Sequence, residues 1–295
     1  MQTMKNGAYT LLITPFKEDM SLDEEGLRIL IRRQLQAEID GIAPLGVTGE
    51  NTLLTEDEIE KFMKIMAEEA KGKTKIVPDT CTMSLWKAIE RVKMFADLGA
   101  DYVSVYSPFF VLPKTDGVIK YYEKLADASP IPIILHNAQA RTGINLEPET
   151  TALLAKHPNI VGIKDGNKKL DHLAKVIYLT QNEDFAVFTG KDTTAFPLVC
   201  FGGSGSFTVA GNVIPEVMKN MIKFALEGKI EEARKLHNEY YELFEAFRFE
   251  TNPMGAKKAL NLLNLPAGSL RLPLTELSEK KTEILRKIMH EKGLL

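Results

Sequence analysis

A (β/α)8 TIM barrel with a C-terminal helical extension is the fold the sequence predicts, and three observations lead to it. Short apolar or β-branched runs recur eight times, each followed by a helical pattern, over roughly 225 residues, the order and size of such a barrel. No Gly-x-Gly-x-x-Gly follows an early strand, as an open doubly wound sheet that binds a dinucleotide would show. From Ile230 onward the pattern is helical only.

The first strand is read at Tyr9–Thr14, with its helix at Asp23–Ala37. Gly41–Gly46 is the second, and its helix starts at Thr55, with Glu58 three residues on as the capping-box partner. Lys75–Thr80 leads to a helix at Ser84–Leu98, and the alternating Tyr102–Tyr106 leads to one at Asp116–Ala128. Ile131–Asn137 is the fifth strand, with Glu147–Ala155 behind it. Ile160–Lys164 is the sixth, before Leu170–Thr180; Phe185–Gly190 is the seventh, before Thr193–Phe201. Gly205–Val209 closes the count, with a helix at Pro215–Leu226. Three helices remain, at Ile230–Phe249, Pro253–Asn264 and Thr275–Lys292. The division is therefore a catalytic barrel over residues 1–228 and a helical extension over 229–295.

With 295 residues, 44% of them hydrophobic, the chain can bury a large core. A net charge of -3 and a pI near 6.0 show no basic excess, which speaks against nucleic acid as a partner. Cys81 and Cys200 have neither CxxC nor metal-ligand spacing, so free thiols and a cytoplasmic location are expected. Met1–Thr10 has no apolar stretch of signal-peptide length, and no run of 18 apolar residues suggests a membrane span.

In a barrel of this kind the chemistry sits at the C-terminal ends of the strands. Those ends bring Thr14, Thr48, Thr80, Tyr106, His136, Lys164, Gly190 and Ser206 to one mouth. No trio of carboxylates or cluster of histidines suggests a metal, so no metal or other cofactor is expected. The loop Gly46-Val47-Thr48-Gly49-Glu50 joins the second strand to its helix. Its glycines, amides and the Thr48 hydroxyl suit the grip of a carboxylate, although a tight turn needs glycine equally. Phe201–Ser206 reads as a turn into the eighth strand, with a phosphate cradle as the alternative.

The most telling residue is the lysine of Ile160-Val161-Gly162-Ile163-Lys164-Asp165-Gly166. Four apolar or small residues lead into a single amine, and desolvation lowers the pKa of such a group. An amine made partly neutral near pH 7 is a nucleophile for ketones and forms a Schiff base. A lysine at a strand end that merely reaches water is the simpler alternative.

These residues resemble the dihydrodipicolinate synthase / N-acetylneuraminate lyase superfamily of class I aldolases. The likeness runs through Gly46–Glu50, Pro108–Phe110, His136–Gly143, Ile160–Asp165 and Gly202–Val213. The resemblance implies that Lys164 forms the Schiff base and that Gly46, Val47 and Thr48 surround the 2-oxo acid carboxylate. It also implies that Ser206 and Phe207 form the wall beside the imine, and that the assembly is a homotetramer or homodimer. Arg141, in Arg141-Thr142-Gly143, matches an arginine that holds the second substrate's carboxylate. Three positions depart from the synthases, whose proton relay uses a threonine and two tyrosines. Here they are Val47, Phe110 and His136.

The expected function is a Schiff-base lyase acting on pyruvate or another small 2-oxo acid, by aldol cleavage or condensation or by β-elimination. Lys164 carries the imine and His136 moves protons, since an imidazole both takes and returns a proton near neutral pH. Because the relay hydroxyls are absent, 4-hydroxy-tetrahydrodipicolinate synthase of lysine biosynthesis ranks as the alternative. A non-catalytic 2-oxo acid-binding barrel is the alternative of another class.

Overall fold

The computed structural model describes residues 4–167 and 169–295. Eight parallel strands alternate with helices in the order β1 (Gly7–Thr10), α1 (Glu24–Gln36), β2 (Gly41–Ile42), α2 (Glu56–Ala70), β3 (Lys75–Ile76), α3 (Leu85–Asp97), β4 (Val103–Tyr106) and α4 (Thr115–Ala128). The second half runs β5 (Ile133–Asn137), α5 (Gln139–Thr142), α6 (Pro148–Leu154), β6 (Ile160–Asp165), α7 (Leu170–Thr180), β7 (Ala186–Thr189), α8 (Asp192–Cys200), β8 (Gly205–Thr208) and α9 (Pro215–Leu226). The extension adds α10 (Ile230–Ala246), α11 (Met254–Leu262) and α12 (Glu279–Glu291).

Neighbouring strands pair in the order β3-β2-β1-β8-β7-β6-β5-β4. The sheet curls and closes where Asp79 bridges Ser104 in parallel, with the Ser104 amide donating to Pro78 O at 2.8 Å and the Thr80 amide to Ser104 O at 3.0 Å. The predicted barrel is therefore the observed one. Its second and third strands are shorter than their apolar runs, Gly41–Gly46 and Lys75–Thr80, suggest. Pro44 and Pro78 lie inside those runs, and each removes a ladder donor, so regular pairing stops ahead of it. Pro132 likewise delays the fifth strand to Ile133.

The helices start where the sequence places caps. Asp23 accepts from the Gly26 amide at 3.0 Å, and the Thr55/Glu58 capping box closes from both sides. One turn of helix, α5, lies inside what reads as a loop.

Inside the barrel Tyr9, Phe188 and Phe207 are fully buried and pack ring on ring, with centroids 5.1–5.5 Å apart. They fill the interior with carbon, which sets the dielectric that any polar group beside them meets. The extension shares this core: Leu243, Phe244, Phe247, Leu260, Leu285 and Met289 belong to the same apolar cluster as the barrel residues. A fully buried ion pair, Lys257 to Glu50 at 2.6 Å, ties α11 to the loop after β2. No helix among the described residues is long and apolar enough to cross a membrane.

Candidate active site

Lys164 is the fifth residue of β6 and is only 5% exposed. Gly162 lets β7 lie close, because a Cβ there would stand 2.7 Å from Ala186 O. The Lys164 amine sits 5.6 Å from the centre of the Phe207 ring. Burial pushes this amine down to about 8, against the opposing pull of Asp79 and then Cys81. Desolvation therefore outweighs the nearest carboxylate, whose Oδ2 is 4.0 Å from Nζ.

His136 precedes the last residue of β5 and pairs in register with Lys164. Its ring is buried and tilts against Tyr106, with centroids 3.8 Å apart. Nδ1 lies 2.7 Å from Asp79 Oδ2. Burial, followed by the charge of Lys164, lowers the imidazole's pKa, and Asp79 opposes the shift. A neutral ring whose Nδ1 faces a carboxylate oxygen at this distance donates from Nδ1, which leaves the lone pair on Nε2. Asp79 is a residue that the motifs did not reveal. The visible signal was a carboxylate in the otherwise uncharged run Ile76–Thr80.

Lys164, His136, Val47, Thr48, Tyr106 and Arg141 line one cavity of about 600 Å³ at the C-terminal ends of the strands. Asn252 and Arg248, from the segment after α10, complete it. Asn252 Nδ2 donates to Thr48 Oγ1 at 2.9 Å, and Arg248 donates to Gly190 O at 2.9 Å. Nothing local in the sequence marks these two, since only the docking of the extension carries them to the mouth. Lys169 and Lys191 also face the cavity, and no Asp or Glu is among its lining residues. Such a cavity favours an anionic ligand.

The loop after β2 is held from below. Gly49 is required because a Cβ would stand 2.8 Å from Leu45 N and 3.2 Å from Leu12 O, and Thr14 Oγ1 donates to Gly49 O at 2.6 Å. Gly46 lines a smaller adjoining hollow of about 220 Å³ that shares Val47, Tyr106 and Arg141 with the main cavity. Arg141 projects from α5 with no carboxylate partner among the described residues, so a surface ion pair does not explain it.

Four expected residues are placed differently, and two of them, Thr14 and Thr80, are fully buried and do not line the cavity. Phe110 does not reach the cavity: it is 83% exposed, with φ 68°, on a loop that carries it outward together with Val111 and Leu112. Ser206 is fully buried within β8 and stands in the barrel wall, as Phe207 does, rather than in the open mouth. The Phe201–Ser206 run is a turn at the entry to β8. The Gly202 and Gly203 amides donate to Val199 O and Leu198 O, so they are not free to cradle a phosphate. Among the described residues no group of three His, Cys, Asp or Glu side chains is placed to hold a metal ion. A further hollow of about 460 Å³ lies at the opposite end of the barrel, where Lys5–Asp40 and Lys75–Asp101 pair and occupy the charges.

The profile of the dihydrodipicolinate synthetase family matches residues 4–292. A 4-hydroxy-tetrahydrodipicolinate synthase of Methanospirillum hungatei is 39% identical over 288 residues, 97% of this chain and 99% of that protein. The crystal structure of dihydrodipicolinate synthase from Thermotoga maritima is similar with a TM-score of 0.96 at 36% identity, covering 99% of this chain and 100% of that one. A chloride-inhibited dihydrodipicolinate synthase from Acinetobacter baumannii, complexed with pyruvate, gives a TM-score of 0.96 at 31% identity, covering 99% of this chain and 100% of that one.

Proposed function

The chain belongs to the dihydrodipicolinate synthetase family, whose members are class I Schiff-base lyases, and on that premise we propose that Lys164 forms an imine with pyruvate or another small 2-oxo acid. The observation that carries this reading is the buried amine over Phe207, brought down to about 8 by desolvation. A neutral amine attacks the C2 ketone, water leaves, and the protonated imine withdraws electrons from the adjacent carbon. The loop Gly46-Val47-Thr48 receives the carboxylate, with Thr48 steadied by Asn252. Phe207 backs the imine, His136 moves the proton, and Arg141 meets the charge on the second or longer substrate.

Between the reactions open to such an imine, the named relatives favour the condensation of 4-hydroxy-tetrahydrodipicolinate synthase. A second reading, aldol cleavage or β-elimination of a longer 2-oxo acid, draws on the cavity itself. Val47 and His136 stand there where the synthase relay has hydroxyls, and Phe110 is outside it. The exposed apolar loop Phe110–Leu112 is consistent with assembly into a homodimer or homotetramer, because contiguous exposed apolar side chains mark protein–protein contact sites.

Borohydride reduction in the presence of pyruvate, read by intact mass and peptide mapping, should place the pyruvyl group on Lys164, and Lys164→Ala should abolish it. Label on another lysine, or no label with any 2-oxo acid, overturns the proposal. Product analysis then separates the two readings. Accumulation of 4-hydroxy-tetrahydrodipicolinate from the synthase's substrates supports the first, and release of pyruvate or water from longer 2-oxo acids supports the second.

A further inference from the structure

We propose that Asp79 is a positioning residue for proton transfer: it holds the His136 ring with Nδ1 donating and Nε2 unprotonated, and so makes His136 the base and acid for the carbon next to the Lys164 imine. The proposal rests on Lys164 carrying that imine.

Three observations support it. Asp79 Oδ2 is the hydrogen-bond partner of His136 Nδ1, at 2.7 Å, and both side chains are buried. The same oxygen is 4.0 Å from Lys164 Nζ and accepts from Ser104 Oγ at 3.2 Å. The other oxygen, Oδ1, is buried without a hydrogen-bond partner, an arrangement that a purely structural carboxylate avoids. The other titratable groups around the imidazole are Tyr106 on β4, Lys164 and Asp165 on β6, and, beyond them, Cys81 and Arg141. Tyr106 and Cys81 stay neutral at working pH, because burial raises both.

The proton step conserves charge within the site. With the 2-oxo acid bound as a protonated imine, a C3–H bond breaks and its electron pair becomes the C2=C3 bond of an enamine. The C=N π pair returns to Nζ, and the proton goes to His136 Nε2. The positive charge therefore moves from Nζ to the imidazolium without leaving the pocket. One carboxylate oxygen faces the cation before and after the transfer, at 4.0 Å from the first position and 2.7 Å from the second. Burial and the neighbouring Lys164 keep the free imidazole neutral, so it starts as a base. The reverse transfer protonates the enamine, and the same pair serves either direction of reaction.

Proton–deuterium exchange of the pyruvate methyl group in D2O, followed by NMR, isolates this step because it needs no second substrate. Asp79→Asn should still trap pyruvate on Lys164 with borohydride, yet exchange, per trapped imine, on the order of 10²- to 10⁴-fold more slowly. An asparagine amide can donate to Nδ1 and so leave the proton on Nε2. Wild-type exchange should rise with pH through the imidazole ionisation, below its ordinary value of 6.5, and Asp79→Asn should lack that limb. His136→Phe should lose the same limb, and adding Asp79→Asn to it should give no further loss. Unchanged exchange per trapped imine in Asp79→Asn overturns the proposal. So do losses that multiply in the double variant, a pH limb retained in His136→Phe, or a wild type that traps pyruvate without exchanging it. A wild type that traps nothing overturns the Lys164 assignment instead.

Discussion

Replacing Lys164 by methionine should abolish imine formation and, at neutral pH, make the protein more stable. In the unfolded chain the amine titrates at its ordinary 10.5, and in the folded barrel at about 8. Between those values the unfolded state binds more protons than the folded state, so stability rises with pH across that window. Below about pH 8 both states hold the proton, and the folded state bears the whole desolvation cost of the buried charge. Above 10.5 neither holds it, and the cost is gone. The gap corresponds to about 3 kcal/mol at pH 7. Methionine is unbranched and apolar, so it can lie along Phe207 with a packing change worth less than about 1.5 kcal/mol. A chain of this size gains about 2 °C in Tm per kcal/mol, so the expected rise is roughly 3 to 6 °C at pH 7. Thermal melts of both proteins from pH 7 to 11 check this, since subtraction removes the titrating groups that do not face Lys164. The stability difference should shrink as pH rises through the window. A variant no more stable than the wild type at pH 7, or a gain that persists unchanged to pH 11, refutes the claim that burial sets the nucleophile.

Four further outcomes follow from the same geometry. The rate of borohydride-trappable imine formation with pyruvate should climb with pH and level off around 8, whereas an amine in water would still be climbing at 10. Arg141→Ala should cost about 2 to 5 kcal/mol in kcat/KM for the acidic second substrate while leaving imine trapping nearly intact, and equal loss in both assays would assign Arg141 a structural role. The Cys81 thiol, pushed up to about 12 by burial and then by Asp79, should resist iodoacetamide in the folded protein, while the exposed Cys200 is modified; peptide mapping distinguishes them. Lys257→Met strands the buried Glu50 carboxylate, and should lower unfolding free energy by about 3 to 5 kcal/mol in denaturant titrations.

The barrel was legible because periodicity is a local property. Each apolar run of five to seven residues and each capping signal, such as Thr55 with Glu58, reports on its own neighbourhood. The misreadings at strand ends have local causes too. Pro44 and Pro78 break the ladder inside runs whose hydrophobicity continues past them. Lys164 was legible for the same reason: an amine at the end of an apolar strand already implies desolvation.

The rest of the site depends on contacts between residues far apart in the chain. Arg248 and Asn252 belong to the motif-free turn between α10 and α11, and they reach the mouth because α10 packs on α8 and α9. Asp79, which follows β3, and His136, on β5, are 57 residues apart, and β3 and β5 are not adjacent in the sheet order. They meet because the barrel closes at Asp79–Ser104, which sets the end of the third strand against β4. His136 lies on β5, the other neighbour of β4, in register with Tyr106. From there the carboxylate reaches across β4 to the imidazole, and Lys164, on the next strand, enters the same group. The substitutions at the relay positions could be seen one at a time along the chain. Whether anything replaces the missing hydroxyls depends on closure, because only a closed barrel puts a residue of the third strand beside residues of the fifth and sixth.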